Sequence, residues 1–113
     1  MKKLIFFIAF IISTVSFAQD FPSGMVVVEF NASFNKTNEV AWLPKLSDCE
    51  TQRVDIVADS RWASEYKIVV VPTLVVFNNN EEVKRFQANI MMTMEATKKE
   101  VQDAIDEIVM EAF

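Results

Sequence analysis

The side chains of this chain that could carry chemistry are one thiol, a scatter of carboxylates, and the amide pair Asn35 and Asn38. Cys49 is the sole cysteine of the 113 residues, and there is no histidine. A lone thiol forms no internal bridge, so any disulfide must join a second molecule. Without histidine, His-based triads and histidine-containing metal sites are excluded. Asp48 and Glu50 flank Cys49, and their negative charge disfavours the thiolate. A strong nucleophile there needs a cation supplied by folding, such as Lys45 or Arg53. Cys49 reads either as a buried inert thiol or as a surface thiol that forms mixed disulfides. Asp48, Glu50, Asp55 and Asp59 lack the alternating oxygen ligands and turn glycine of a Ca²⁺ loop. They read as solvated loop and cap residues, and neither a metal site nor a cofactor is expected.

The elements that must position these groups follow from hydrophobic patterning. Phe21-Pro22-Ser23-Gly24 is a breaker ahead of Met25-Val26-Val27-Val28-Glu29-Phe30-Asn31, a β-branched run suited to a central strand covered on both faces. Ser33 to Asn38 is turn-like, with Ser33 or Asn35 available as a helix cap. Val40, Leu43 and Leu46 predict a helix over 36–48, kinked at Pro44. Gln52 to Ala58 reads as a second strand, with Val54 and Ile56 on one side. Asp59 or Ser60 caps a short helix through Tyr66, packing Trp62 and Ala63. After Val69-Val70-Val71-Pro72, Thr73 to Phe77 is another apolar strand. Asn78-Asn79-Asn80 makes a tight turn, and Glu81 to Ile90 returns as an antiparallel edge protected by its charges, with Val83 and Phe86 apolar. A final helix over 95–112 carries Val101, Ala104, Ile105, Ile108, Val109 and Ala112 on one stripe. Its opposite face is largely acidic, which suits sheet packing rather than a membrane surface. The order predicts a three-layer α/β domain in which two parallel units feed an antiparallel edge.

The first residues, Met1-Lys2-Lys3, lead into the apolar run Leu4 to Ile12, and Ser16 and Ala18 supply small residues. This is the pattern of a secretory signal peptide cleaved after Ala18. The expected organisation is a leader over 1–18, a short segment over 19–24 and one domain over 25–113. The expected location is the periplasm or the exterior of a bacterial cell, with no integral membrane segment after cleavage. Cleavage takes Lys2 and Lys3 away, so the net charge of −5 becomes two units more negative. An acidic surface argues against nucleic acid as a partner.

In their order, several pieces resemble the thioredoxin superfamily across the region from about Met25 to Met110. They are Val28-Glu29-Phe30-Asn31-Ala32-Ser33-Phe34, the strand end from Asp55 to Asp59, Val71-Pro72-Thr73-Leu74-Val75-Val76-Phe77-Asn78-Asn79, and the final helix. The resemblance implies a minimal thioredoxin-like sandwich with a mixed sheet of about four strands, since the family's usual first strand and helix look absent. It also implies that Asn35 and Asn38 stand where the family carries the two thiols of Cys-x-x-Cys. An amide is neither a useful nucleophile nor redox-active, so dithiol oxidoreductase activity is not expected and no catalytic residue is assigned. Glu29 matches the family's buried carboxylate. Pro72 matches its cis-proline, where Val71 presents backbone to an extended ligand. Phe34, Val71, Pro72 and Thr73 are the residues of such a peptide-binding groove, with Trp42 a further border or a core residue. The expected function is an exported, non-catalytic domain that binds a protein or extended peptide near Pro72. Two alternatives stand beside it: a monothiol redox accessory using Cys49 with an external resolving thiol, and a structural or assembly component of the cell envelope. For the last, Met91, Met92 and Met94 are the candidate contact, unless they fill the sheet–helix junction.

Overall fold

The computed structural model describes residues 20–111. The expected signal peptide and Ala112 lie outside the described residues. Four strands form one mixed sheet in the order β2-β1-β3-β4, with β1 Met25–Asn31, β2 Glu50–Asp55, β3 Thr73–Asn78 and β4 Glu81–Gln87. Two helices flank it, α1 Arg61–Glu65 and α2 Lys98–Glu111.

β1 is central because alternate residues bury on opposite faces, as a pleated strand demands. Val26, Val28 and Phe30 join Val75 and Phe77 under α1, with Val54, Ile56, Trp62, Ala63 and Tyr66 packed against them. Phe21 closes this aromatic cluster, its ring centroid 5.1 Å from Phe77 and 5.6 Å from Trp62. On the other face Val27, Leu74 and Val76 meet Val101 and Ile105 of α2 and Val40, Leu43 and Leu46 of the β1–β2 connection. The result is the expected three-layer α/β sandwich.

Only one of the two expected parallel units forms. β1 and β2 are parallel, but β3 runs antiparallel to β1. A parallel crossover must carry the chain back along the sheet. Here Asp55, which ends β2, and Thr73, which begins β3, pair with Asn31 and Phe30 at the same end of β1, and the connection carries only the five-residue α1 as regular helix. The chain therefore stays at one end and re-enters the sheet in the opposite sense.

The helix expected over 36–48 is absent. Two 3₁₀ turns replace it, at Ser33–Asn38 and Leu43–Lys45, and the first is broken at Asn35 (φ −114°, ψ 21°). Neither Ser33 nor Asn35 caps it, since the cap position belongs to Ala32. Long-range bonds outcompete an i→i+4 ladder here: Val40 N–H donates to Glu29 Oε2 at 2.9 Å, and Val40 O accepts from Arg53 Nη2 at 2.6 Å. Pro44 lacks an N–H to continue any ladder.

Boundaries shift where side chains capture the backbone. β2 ends at Asp55, not Ala58, because Asp55 Oδ1 accepts the N–H groups of Val57 and Ala58 at 2.8 and 3.3 Å, an Asx turn. α2 begins at Lys98, not Glu95, because Thr97 and Glu100 form a reciprocal capping box. Val83 is exposed rather than apolar-facing: the β3–β4 register steps from Val76↔Lys84 to Phe77↔Glu82, so Val83 sits in a bulge. Asn79 and Asn80 take φ of +54° and +66° in the expected turn. Among the described residues no helix is long and apolar enough to cross a membrane.

Candidate functional site

The carboxyl end of β1 delivers the chain to a run of three amides. Asn31 Oδ1 accepts from Ala32 N at 2.9 Å and from Asn35 Nδ2 at 3.2 Å, while Asn31 Nδ2 reaches Glu29 Oε2 at 3.4 Å. Asn38 Nδ2 donates to Asn35 Oδ1 at 2.9 Å. The Asn35 amide also reaches two distant loops, donating to Met92 O at 3.1 Å and Val71 O at 3.5 Å. Asn35 is 3% exposed. It is a buried polar staple joining the turn after β1, the loop before β3 and the loop after β4. A buried amide is tolerated because its donors and acceptor are matched.

Glu29 anchors the inner end of the run. Its side chain is fully buried and accepts from Arg53 Nε at 3.0 Å and from Val40 N–H at 2.9 Å. Register explains the pairing, since Glu29 and Arg53 are direct neighbours across β1 and β2. Arg53 also approaches Glu39 at 3.6 Å. A fixed fork of donors suits a carboxylate that would be costly to bury alone. Glu29 thus has a complete set of partners within the fold. Glu29 and Arg53 both line a cleft of about 270 Å³ together with Ser33 and Lys36.

The other sequence-derived candidates fall into two groups. Val71, Pro72 and Thr73 are buried, the Val71–Pro72 bond is cis, and Pro72 O accepts from Ala88 N at 3.1 Å. Phe34 is 71% exposed beside Asn35. Val71 and Phe34 therefore lie at the amide staple, and Pro72 and Thr73 follow Val71 in the chain. Trp42 packs instead against the aliphatic core, and so does Met94, whereas Met91 and Met92 face outward.

Cys49 stands apart. It directly precedes β2, whose first residue, Glu50, pairs with Val26 at the start of β1, so it lies at the sheet end opposite Asn35. Five residues of strand separate the two ends, about 17 Å. The thiol is half-buried against the aliphatic core. Burial, followed by the charge of Asp48, raises its pKa. Arg53, a candidate activating cation, is committed to Glu29 and the Val40 carbonyl. Among the described residues no three carboxylate or thiol ligands converge as a metal site would need.

Sequence reasoning missed Arg53 as the partner of Glu29, which only strand register discloses. It also missed Asn89, whose side chain organises the loop after β4. No periodicity marks either residue.

No protein-family model matches the chain. It is similar to the thioredoxin of Chlamydia trachomatis, 28% identical over 81 residues that cover 66% of this chain and 79% of that protein. Among solved structures it resembles the reduced thioredoxin pre-protein of Schistosoma mansoni, with a TM-score of 0.62 and 23% identity over 84% of this chain and 89% of that one. It also resembles thioredoxin 1 of Thermosipho africanus, with a TM-score of 0.58 and 16% identity over 77% of this chain and 97% of that one.

Proposed function

Starting from a thioredoxin-superfamily fold with a single cysteine, we propose that this chain is an exported, non-catalytic domain that binds an extended segment of another protein beside Pro72. The observation that carries the reading is the Asn35 staple. It occupies the attacking-thiol position implied by the resemblance, is buried, and spends its amide on holding three loops together. Those loops carry Phe34, Val71 and Pro72 and lead into Thr73. Binding is what such an arrangement can do chemically, since Phe34 offers exposed apolar surface and an amide at the attacking position cannot exchange electrons. Export rests on the leader pattern over 1–18. The Cys49 alternative has less support, because the thiol is half-buried and remote from the staple.

The test uses the purified chain and its Cys49→Ser variant in two assays. In the first, reduction of a protein disulfide by dithiothreitol is expected to run at the rate of the reductant alone. In the second, a labelled extended apolar peptide is expected to bind both proteins equally. Catalysed reduction, or peptide capture that requires Cys49, would overturn the reading in favour of a monothiol accessory.

A further inference from the structure

The sheet has two outer strands, and they are finished differently. β4 is interrupted by the bulge at Val83 and carries Lys84 and Arg85, devices that discourage further pairing. Its Arg85 guanidinium is folded onto the carbonyls of Tyr66 and Lys67 at 2.7 and 3.0 Å and onto Glu82. β2, the opposite edge, has no such break, and its six residues follow β1 in unbroken register. Ile56 N donates to Asn31 O on β1 at 2.9 Å. Backbone groups alternate in direction along a strand. Gln52 and Val54 therefore also face β1, whereas Thr51, Arg53 and Asp55 turn their N–H and C=O groups outward. Among the described residues no strand pairs with that side. Two clefts follow it: one of about 220 Å³ lined by Leu43, Thr51, Gln52 and Arg53, and the cleft of about 270 Å³ that Arg53, Val54 and Asp55 line. An open row of backbone donors and acceptors is a template for another strand.

We propose that this edge is an interface between two copies of the chain, with β2 pairing antiparallel to β2 of the second copy about a two-fold axis at Val54. Strand chemistry narrows the register. In an antiparallel pair, residues opposite each other both face the partner or both face away, so the axis must pass through a residue of β2 rather than between two. An axis at Arg53 sets two guanidinium groups directly opposite each other, which is unfavourable. An axis at Gln52 sets Arg53 opposite Thr51 and Glu50 opposite Val54, matching no charge. An axis at Val54 sets Arg53 opposite Asp55 twice over and the two Val54 side chains against each other. The groups for this pairing are available. The Arg53 side chain is 41% exposed and spends Nε on Glu29 and Nη2 on the Val40 carbonyl, so Nη1 remains. Asp55 holds its turn through Oδ1, so Oδ2 remains. The Asp55 carbonyl accepts from Asp59 N at a long 3.4 Å and keeps its second lone pair. Val54 lies half-buried at the margin of the aromatic cluster, and its counterpart would cover it further. Arg53 and Asp55 lie on one strand, so a second copy matches both at once, the self-complementarity that a two-fold contact requires. The contact is small, so the dimer dissociates on dilution. It uses none of Phe34, Val71, Pro72 and Thr73.

Sedimentation equilibrium and hydrogen exchange of the purified chain, from micromolar to millimolar concentration, read the interface. The expected result is a reversible monomer–dimer equilibrium, with the Arg53 and Asp55 amides protected only in the dimer. Asp55→Asn keeps the side-chain oxygen that holds the turn, and is expected to weaken dimerisation about tenfold by removing both ion pairs. Register is read in a Cys49→Ser background oxidised with diamide. Val54→Cys is expected to crosslink, because opposed residues of this type lie about 4.5 Å apart. Gln52→Cys is expected not to, since its two copies stand about 13 Å apart along the strands. A chain that stays monomeric, with both amides exchanging freely at every concentration, would overturn the interface. Protection that survives dilution would overturn it in favour of a segment of the same chain lying on the edge. A dimer insensitive to Asp55→Asn, in which Val54→Cys does not crosslink, would overturn it in favour of another face.

Discussion

The two ends of the sheet are both pinned by asparagines, with opposite consequences. At the β3–β4 turn, Asn80 Oδ1 accepts from Phe21 N at 3.0 Å and Asn80 Nδ2 donates to Phe21 O at 2.8 Å, while Asn79 Oδ1 accepts from Gly24 N at 2.8 Å. These bonds draw the incoming chain down and seat Phe21 among four aromatic rings. At the other end, Asn35 and Asn89 fix the backbone of three loops and leave Phe34, Val69, Ile90 and Met91 in solvent. The same side-chain chemistry closes a core at one end and displays apolar surface at the other. The difference separates residues that stabilise the fold from exposed residues that the proposed binding would use.

Substitution sharpens the comparison. Phe21→Ala removes a buried ring and is expected to destabilise by about 3–5 kcal/mol, measured by urea unfolding. Arg53→Ala leaves the buried Glu29 carboxylate without its charge partner. Partial exposure of Arg53 places the expected loss at about 3 kcal/mol, the lower end for a broken buried pair. Asn35→Ala leaves the Met92 carbonyl and the Asn38 amide without their partner and is expected to lose about 2 kcal/mol. Hydrogen exchange should then quicken across 33–38 and 89–93 while the aromatic end stays protected. Phe34→Ala is expected to change stability by less than about 0.5 kcal/mol. A Phe34 effect equal to that of Phe21 would erase the distinction between the two ends.

A pH experiment addresses the aromatic end separately. Tyr66 is the chain's single tyrosine. Its pKa is raised, first by burial and then by its hydrogen bond to Asp20 and the nearby carboxylate charge. The proton is therefore held more tightly in the folded state. That contribution is complete below the unfolded value near pH 10 and fades as pH rises through the folded value. Tyrosinate absorbance is expected to stay absent past about pH 10 and then to appear together with alkaline unfolding. Titration at the ordinary pKa in a folded protein would contradict the packing of Tyr66.

Much of the fold was legible because it rests on local pattern. β-branched runs mark β1 and β3, Asn79-Asn80 marks a turn with positive φ, and the Val101–Ile105 stripe marks α2. The stretch over 36–48 was misread because its conformation depends on partners far along the chain: Val40 on Glu29 and Arg53. The direction of β3 differs from the expectation because strand direction is set by pairing between distant residues, Thr73 with Phe30, which periodicity does not encode. At the site, type and position of Asn35 could be read, but not its reach to Val71 and Met92. Arg53 and Asn89 act through register and loop closure, neither of which has a signature in single residues.

The most direct test of the central claim is a backbone amide NMR titration of the full chain with an extended apolar peptide, run with and without reductant. The account expects shift changes confined to 33–38, 69–73 and 89–93, identical in the two redox conditions. Changes centred on Cys49 or on α2, or dependence on reductant, would contradict a non-covalent site at the asparagine staple.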